Sequence, residues 1–230
     1  MINKAIYDDL GFRDYKETWD YQEKFFHEKV EFKGKTASDG VAPADRLIFV
    51  EHNHVYTLGK SGQESNLLLN YIQLKAKNAV FYHIDRGGDI TYHGPGQLVG
   101  YPIFDIEPMG LGLRDYIHLL EESVIKTISR YGILGERLDG ATGVWIDPAD
   151  SGRARKICAI GVKASRYVTM HGFALNVNTD LSYFDHINPC GFTDKGVTSI
   201  ARETGYVIKM SEIKNELKNV IGEVFGIEYL

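Results

Sequence analysis

Between positions 111 and 133 the apolar residues Leu113, Tyr116, Ile117, Leu120, Val124, Ile128 and Tyr131 fall three to four apart, with charged residues between them. That spacing predicts an amphipathic helix, and Gly132 is a suitable stop. A second helical pattern closes the chain in "SEIKNELKNVIGEVFGI", with Ile213, Leu217, Val220, Ile221, Val224 and Phe225 on one side. Near the start, Asp14 followed by Glu17 is a capping signal for a helix carrying Trp19, Phe25 and Phe26. "LLLNYIQLKAKN" predicts a short helix. The β-rich runs are "RLIFVEHNHVYTLG", expected as one strand with a mixed end, then "VFYHI", "TGVWI", "KICAIGVKA" and the longer "YVTMHGFALNVN". Polar loops separate them at "KGKTASDGVAPAD", "KSGQESN" and "DPADSGRAR".

Strands cluster with hairpin-like links and helices are interspersed irregularly. This favours an α+β class, a mixed β-sheet with flanking helices, over a regular doubly wound fold. No repeat or low-complexity segment interrupts the chain. Its 230 residues suit a single domain, 1–230, and support for a boundary near Ser199 is thin.

"RGGDITYHGPGQLVGYPI", Arg86 to Ile103, breaks the pattern. It carries five glycines, two prolines, an Arg, an Asp and a His, and ends in an apolar, strand-like tail. A loop with so much backbone freedom holds an unusual shape. It matches neither a phosphate loop nor a dinucleotide fingerprint.

Composition narrows the class. Hydrophobic residues make up 43% and charged residues 25%, enough for a full core, and the net charge is −5. An acidic chain disfavours nucleic-acid binding. No apolar run approaches a membrane span, and "MINKAIYDDLGFRDYKE" turns acidic too soon for a signal peptide, so the cytoplasm is the expected compartment.

With only two cysteines a disulfide framework is not expected. Cys158, inside "KICAIGV", reads as a core residue. Cys190 sits between Pro189 and Gly191 at a turn, where it is either a nucleophile or a turn thiol without chemistry. A catalytic thiol needs a cation or a base nearby. Lys156 begins an apolar strand, where a solvated strand end is the simpler reading. His93 and His171 each adjoin a glycine, as ligand-facing residues or satisfied loop histidines. His52 and His54, two apart, would share a face on a strand. With no third ligand of suitable spacing, a metal site is not expected.

The motifs "RGGDITYHGPGQLVGYP", "KICAIGVK", "HGFALNVN" and "INPCG", in this order, resemble the octanoyltransferases of lipoate biosynthesis, and "EHNHVYTLG" looks like that family's upstream segment. The resemblance runs from about Glu51 to Ile200. It implies the fold of the lipoate and biotin protein ligases, an α+β domain around a mixed sheet with a small additional sheet or subdomain. It implies transfer of an octanoyl group from octanoyl-acyl carrier protein, held as a thioester on Cys190, to a lysine of a lipoyl domain of the 2-oxoacid dehydrogenases or of the glycine-cleavage H protein. Lys156 matches the family lysine that lowers the thiol pKa. Arg86, Gly87, Gly88, Asp89, Ile90, Thr91, Tyr92 and His93 match one substrate-lining segment. Ala159, Ile160 and Gly161 match a second, and Gly172, Phe173 and Ala174 a third. Asp89 falls where the family varies and carries no assigned role. No cofactor, metal, nucleic acid or membrane is implied, and a monomer is expected.

Two other classes remain open. An ATP-dependent lipoate or biotin ligase on the same fold would need no nucleophilic cysteine. A non-catalytic module would bind the carrier or the lipoyl domain without reacting.

Overall fold

Asp14 starts the first helix by accepting from the backbone N–H groups of Lys16 (2.8 Å) and Glu17 (3.1 Å), as the capping signal predicts. The computed structural model in which this is seen describes residues 3–34, 41–188 and 195–230. In chain order the elements begin with β1 (Asn3–Phe12), α1 (Tyr15–Phe32), β2 (Asp45–Glu51), β3 (Val55–Leu58), α2 (Tyr71–Ala76), β4 (Val80–His83), β5 (Ile90–His93) and β6 (Gln97–Ile103). They continue with α3 (Leu113–Ser129), β7 (Glu136–Leu138), β8 (Ala141–Ile146), β9 (Arg155–Ser165), β10 (Val168–Asn176), β11 (Gly196–Val197), α4 (Ile200–Thr204), α5 (Met210–Phe225) and β12 (Ile227–Tyr229).

The main sheet runs β12-β1-β2-β6-β10-β9-β8-β7, with β11 pairing to β9. It is mixed: β1 pairs parallel with β2 and β12, and β2, β6, β10, β9 and β8 alternate antiparallel. Both faces are covered, which is why β2 reads as the unbroken apolar run "LIFV". Leu47 and Phe49 enter the core with α3 and α5, while Ile48 and Val50 face Phe26 of α1. The expected α+β class, a mixed sheet with flanking helices, is the fold observed.

A second, three-stranded sheet, β4-β3-β5, has its own core of Tyr56, Leu58, Ile90 and Tyr92. It explains three departures from the sequence reading. The run from 46 to 59 is two strands, because the chain turns at His52 to His54 and crosses from one sheet to the other. "ITYH" within the glycine-rich stretch is strand β5, antiparallel to β3. The short helix starts only at Tyr71, where Asn70 and Gln73 form a capping box; Leu67 before it is extended and bridges to Ile187.

β1 was not predicted. Its acidic residues look like a surface segment, but Asp8 pairs with Arg46 of β2 (2.6 Å) and Asp9 with Lys214 of α5 (2.9 Å). Charge pairing with neighbouring elements accommodates its acidic positions, while Ala5 and Tyr7, two apart, pack into the main core. Among the described residues no helix is long and apolar enough to cross a membrane.

Candidate functional site

The sequence motifs meet strand against strand. In the β6–β10–β9 pairing, Val99, Ala174 and Ala159 lie in one row and Gly100, Phe173 and Ile160 in the next, with Gly172 beside Gly161. A Cβ on Gly172 would overlap the carbonyl oxygen of Gly100, so glycine lets these strands approach.

The Arg86–Asp89 loop lies at the seam of the two sheets. Lys60, Ser61 and Gly59 donate backbone bonds to the carbonyls of Arg86, Gly88 and Asp89, while Gly87 N–H donates to Val162 of β9 (2.9 Å). The Arg86 guanidinium, itself buried, donates to the Thr57 carbonyl (2.8 Å) and hydroxyl (3.0 Å). Gly88 adopts a positive φ of 85°, and a Cβ on Gly161 would stand 2.9 Å from the Gly87 oxygen. The loop's shape therefore joins the small sheet to the main one.

Between them is a cavity of about 430 Å³. Arg86, Gly88, Asp89, Ile90, Thr91 and His93 line it, as do Ala159, Ile160, Gly161, Gly172, Phe173, Ala174 and Lys156. Two residues of the segment are not lining residues. Gly87 makes the bond to Val162, and Tyr92 is turned into the small core, its hydroxyl 2.7 Å from His54 Nδ1 and its ring stacked on Tyr183. Asp89 caps the N–H of Ile90 (2.6 Å) and accepts from Asn66 Nδ2 (2.7 Å). The Asn66 carbonyl in turn accepts from Asn188 N–H (2.9 Å).

Lys156 reaches this cavity from β9. Its Nζ donates to the Thr142 carbonyl (3.1 Å) and stands 4.6 Å from the centre of the Trp145 ring. Cys190 lies outside the described residues. Its flanks are seen: Ile187 bridges to Leu67, Lys195 lines the cavity, and in β11 Gly196 and Val197 pair in parallel with Arg155 and Lys156. Cys158 is fully buried in the core, and burial pushes its thiol pKa well up. It is an inert structural thiol, as its apolar setting predicts.

The four histidines singled out in the sequence, His52, His54, His93 and His171, are strand or turn residues with fixed partners. Gln97 donates from Nε2 to the Tyr92 carbonyl (3.1 Å) and to Asn176 Oδ1 (2.9 Å), so its Oε1 is the acceptor facing His93 Nδ1 at 2.9 Å. His93 Nδ1 is therefore protonated, and in the neutral ring Nε2 is an acceptor. Burial, reinforced by His52, pushes the His93 pKa down to about 3. His171, on β10 with a φ of 60°, sits 3.1 Å from Asp85. Burial lowers its pKa, while His171 and Lys163 hold the Asp85 carboxyl well below the usual range. His52 bonds the Arg13 carbonyl (2.9 Å) and the Tyr101 hydroxyl (2.9 Å). His52 and His54 lie in a turn, so the shared-face premise for a metal pair fails.

Sequence reasoning missed Gln97 and Asn176, which also line the cavity. Their signal was available: each is an amide within an apolar strand, and a buried amide needs a built network. Tyr15, Thr142, Trp145 and Lys195 carried no comparable signal.

Comparison with known proteins gives the setting of this site. Residues 14–222 match the family model of the lipoyl protein ligase A/B catalytic domain. The chain is similar to proteins named octanoyltransferase in Parabacteroides distasonis (55% identity over 96% of this chain and 98% of the relative) and Flavobacterium johnsoniae (53%, 99% of each). In fold it is similar to a bipartite lipoate protein ligase from Thermoplasma acidophilum (TM-score 0.66, 14% identity, covering all of this chain and 86% of the other). It is also similar to a lipoate-protein ligase A bound with ATP (TM-score 0.66, 15%, all of this chain and 88% of the other). With its cavity built from the paired motifs, the chain belongs to the octanoyltransferases, acyltransferases of protein lipoylation within the lipoyl protein ligase A/B catalytic-domain family.

Proposed function

We propose that the chain takes an octanoyl group from octanoyl-acyl carrier protein, holds it as a thioester on Cys190, and passes it to a lysine of a lipoyl domain of the 2-oxoacid dehydrogenases or of the glycine-cleavage H protein. The observation that carries this reading is the pairing of Val197 with Lys156. It brings Val197, seven residues after Cys190, alongside a lysine that is distant in sequence and lines the cavity wall.

The chemistry closes on itself. In the resting enzyme a Cys190 thiolate pairs with the Lys156 ammonium, which favours the charged thiol form. The thiolate attacks the carrier thioester carbonyl. The new C–S bond forms as the carrier's C–S bond breaks, and Lys156 protonates the departing carrier thiolate. Neutral Lys156 then accepts a proton from the attacking acceptor amine, the amide bond forms, and the Cys190 thiolate leaves. Burial lowers the His93 pKa to about 3, which makes its imidazole a weak base, so in this reading Lys156 carries the proton transfers and His93 positions. The apolar floor of Val99, Ala159 and Ala174 receives the acyl chain. A thioester donor already carries the activation that a ligase draws from ATP.

The whole chain, 1–230, acts as one catalytic domain, a monomer of the cytoplasm in this reading. Transfer of octanoate from the carrier to a purified lipoyl domain, with ATP absent throughout, tests it. A strict requirement for ATP and free octanoate would select the ligase reading instead.

A further inference from the structure

Glu121 is a carboxylate that the helical periodicity of α3 does not explain. It is only 8% exposed. One oxygen, Oε1, accepts from the backbone N–H of Gly143 (2.9 Å), and Oε2 accepts from Arg137 Nε (3.1 Å). Arg137 also bonds Glu122 (2.8 Å) and the His118 carbonyl (3.1 Å), so the pair is anchored to α3.

The N–H of Gly143 and the C=O of Thr142 belong to one peptide unit. That unit is planar and trans, so its two polar groups point in opposite directions. On one side is the Glu121 carboxylate. On the other, the Thr142 oxygen accepts from Lys156 Nζ at 3.1 Å. A single rigid plane thus separates the buried carboxylate from the ammonium. Gly143 has a φ of 125°, and a Cβ there would stand 2.5 Å from the Cys158 oxygen and 3.4 Å from Lys156 Cε. Glycine is required for this conformation.

We infer that Glu121 is a positioning residue for acyl transfer, fixing the Thr142–Gly143 peptide so that its carbonyl holds the Lys156 ammonium at the cavity wall. The inference rests on the role proposed above for Lys156. Among the described residues, Arg86, Asp89, His93, His171 and Lys195 share the cavity wall with Lys156, and along β9 stand Arg155, held by Glu203 and Asp147, and the buried Cys158 thiol. The Gly143 N–H is occupied by Glu121.

The test is the pH profile of Cys190 alkylation by iodoacetamide, mapped by mass to that cysteine. Glu121→Ala strips both Arg137 and Gly143 of a partner and risks unfolding, so Glu121→Gln and Glu121→Asp are the informative variants. Gln keeps an acceptor for Gly143; Asp keeps the charge beside Arg137 but falls one methylene short. At an effective dielectric near 20, drawing an ammonium from about 4 to about 6 Å from a thiolate raises the thiol pKa by about one unit. Glu121→Asp should therefore shift the profile upward and slow alkylation about tenfold below its midpoint, while Glu121→Gln should stay within about twofold of the parent. Lys156→Ala, measured alongside, should shift the profile as well. If Lys156→Ala moves the profile and Glu121→Asp does not, or if Gln moves it as far as Asp, the positioning role is wrong. An unmoved profile in Lys156→Ala overturns the Lys156 reading and this inference with it.

Discussion

Val197 lies opposite Lys156 in the parallel pairing of β11 with β9. The pairing is continued by Thr198 N–H, which donates to the Lys156 carbonyl at 3.0 Å. Lys156 is thus tied to the segment that follows Cys190, while Cys158, two residues further along β9, points into the core. Cys190→Ala should lower transfer by about three orders of magnitude or more, since loss of a nucleophile disables the whole unit. Cys158→Ala should keep its activity and lose about 1 kcal/mol of stability. Steady-state transfer rates and urea unfolding of the two variants check this. Full turnover by Cys190→Ala would remove the assignment.

The buried histidines should make the fold sensitive to mild acid. Burial pushes His52 down to about 4 and His93 to about 3, against about 6.5 in an unfolded chain. Between these values the unfolded state binds more protons than the folded one. The stability they contribute is complete above pH 6.5 and is lost as pH falls toward the folded values. At pH 5 each histidine should cost about 2 kcal/mol. Urea denaturation at pH 7.5 and pH 5 measures the difference, and His93→Gln should flatten it by about one histidine's share. Equal stability at both pH values would contradict neutral, buried histidines.

The apolar row Val99–Ala174–Ala159 should set acyl length. Each buried methylene contributes about 0.8 kcal/mol, so a donor two carbons shorter should bind roughly tenfold more weakly. Ala159→Leu places bulk on the cavity floor and should reverse this preference, favouring hexanoyl over octanoyl donors, because packed walls resist expansion. Competition between hexanoyl and octanoyl carriers reads the ratio. A ratio unchanged by Ala159→Leu would place the chain elsewhere.

Much of this molecule was legible in its sequence where one physical rule dominated. The helical spacing from Leu113 to Ile128, the Asp14 cap and the apolar run of β10 translate into observed elements, with α3 ending at Ser129, before Tyr131 and Gly132. Elements failed where tertiary context competed with local pattern. β1 hides behind Asp8 and Asp9, whose partners come from β2 and α5. The run from Arg46 to Gly59 conceals a change of sheet at His52, which no periodicity records. The cavity-lining segments were legible through their resemblance to the octanoyltransferase motifs, and the structure adds the physical reason at Gly161 and Gly172, where close approach demands glycine. Glu121 and Thr142 were not, because Glu121 acts through the Gly143 N–H and Thr142 through its own carbonyl, and backbone geometry leaves no side-chain signature.

The covalent intermediate is the central claim. Intact mass of the protein mixed with octanoyl-acyl carrier protein alone, without ATP or acceptor, tests it most directly. The expected result is the gain of one octanoyl group, removed by hydroxylamine, absent in Cys190→Ala, and passed to a lipoyl domain added afterwards. An unmodified mass in a protein that still completes transfer when the acceptor is present would contradict it.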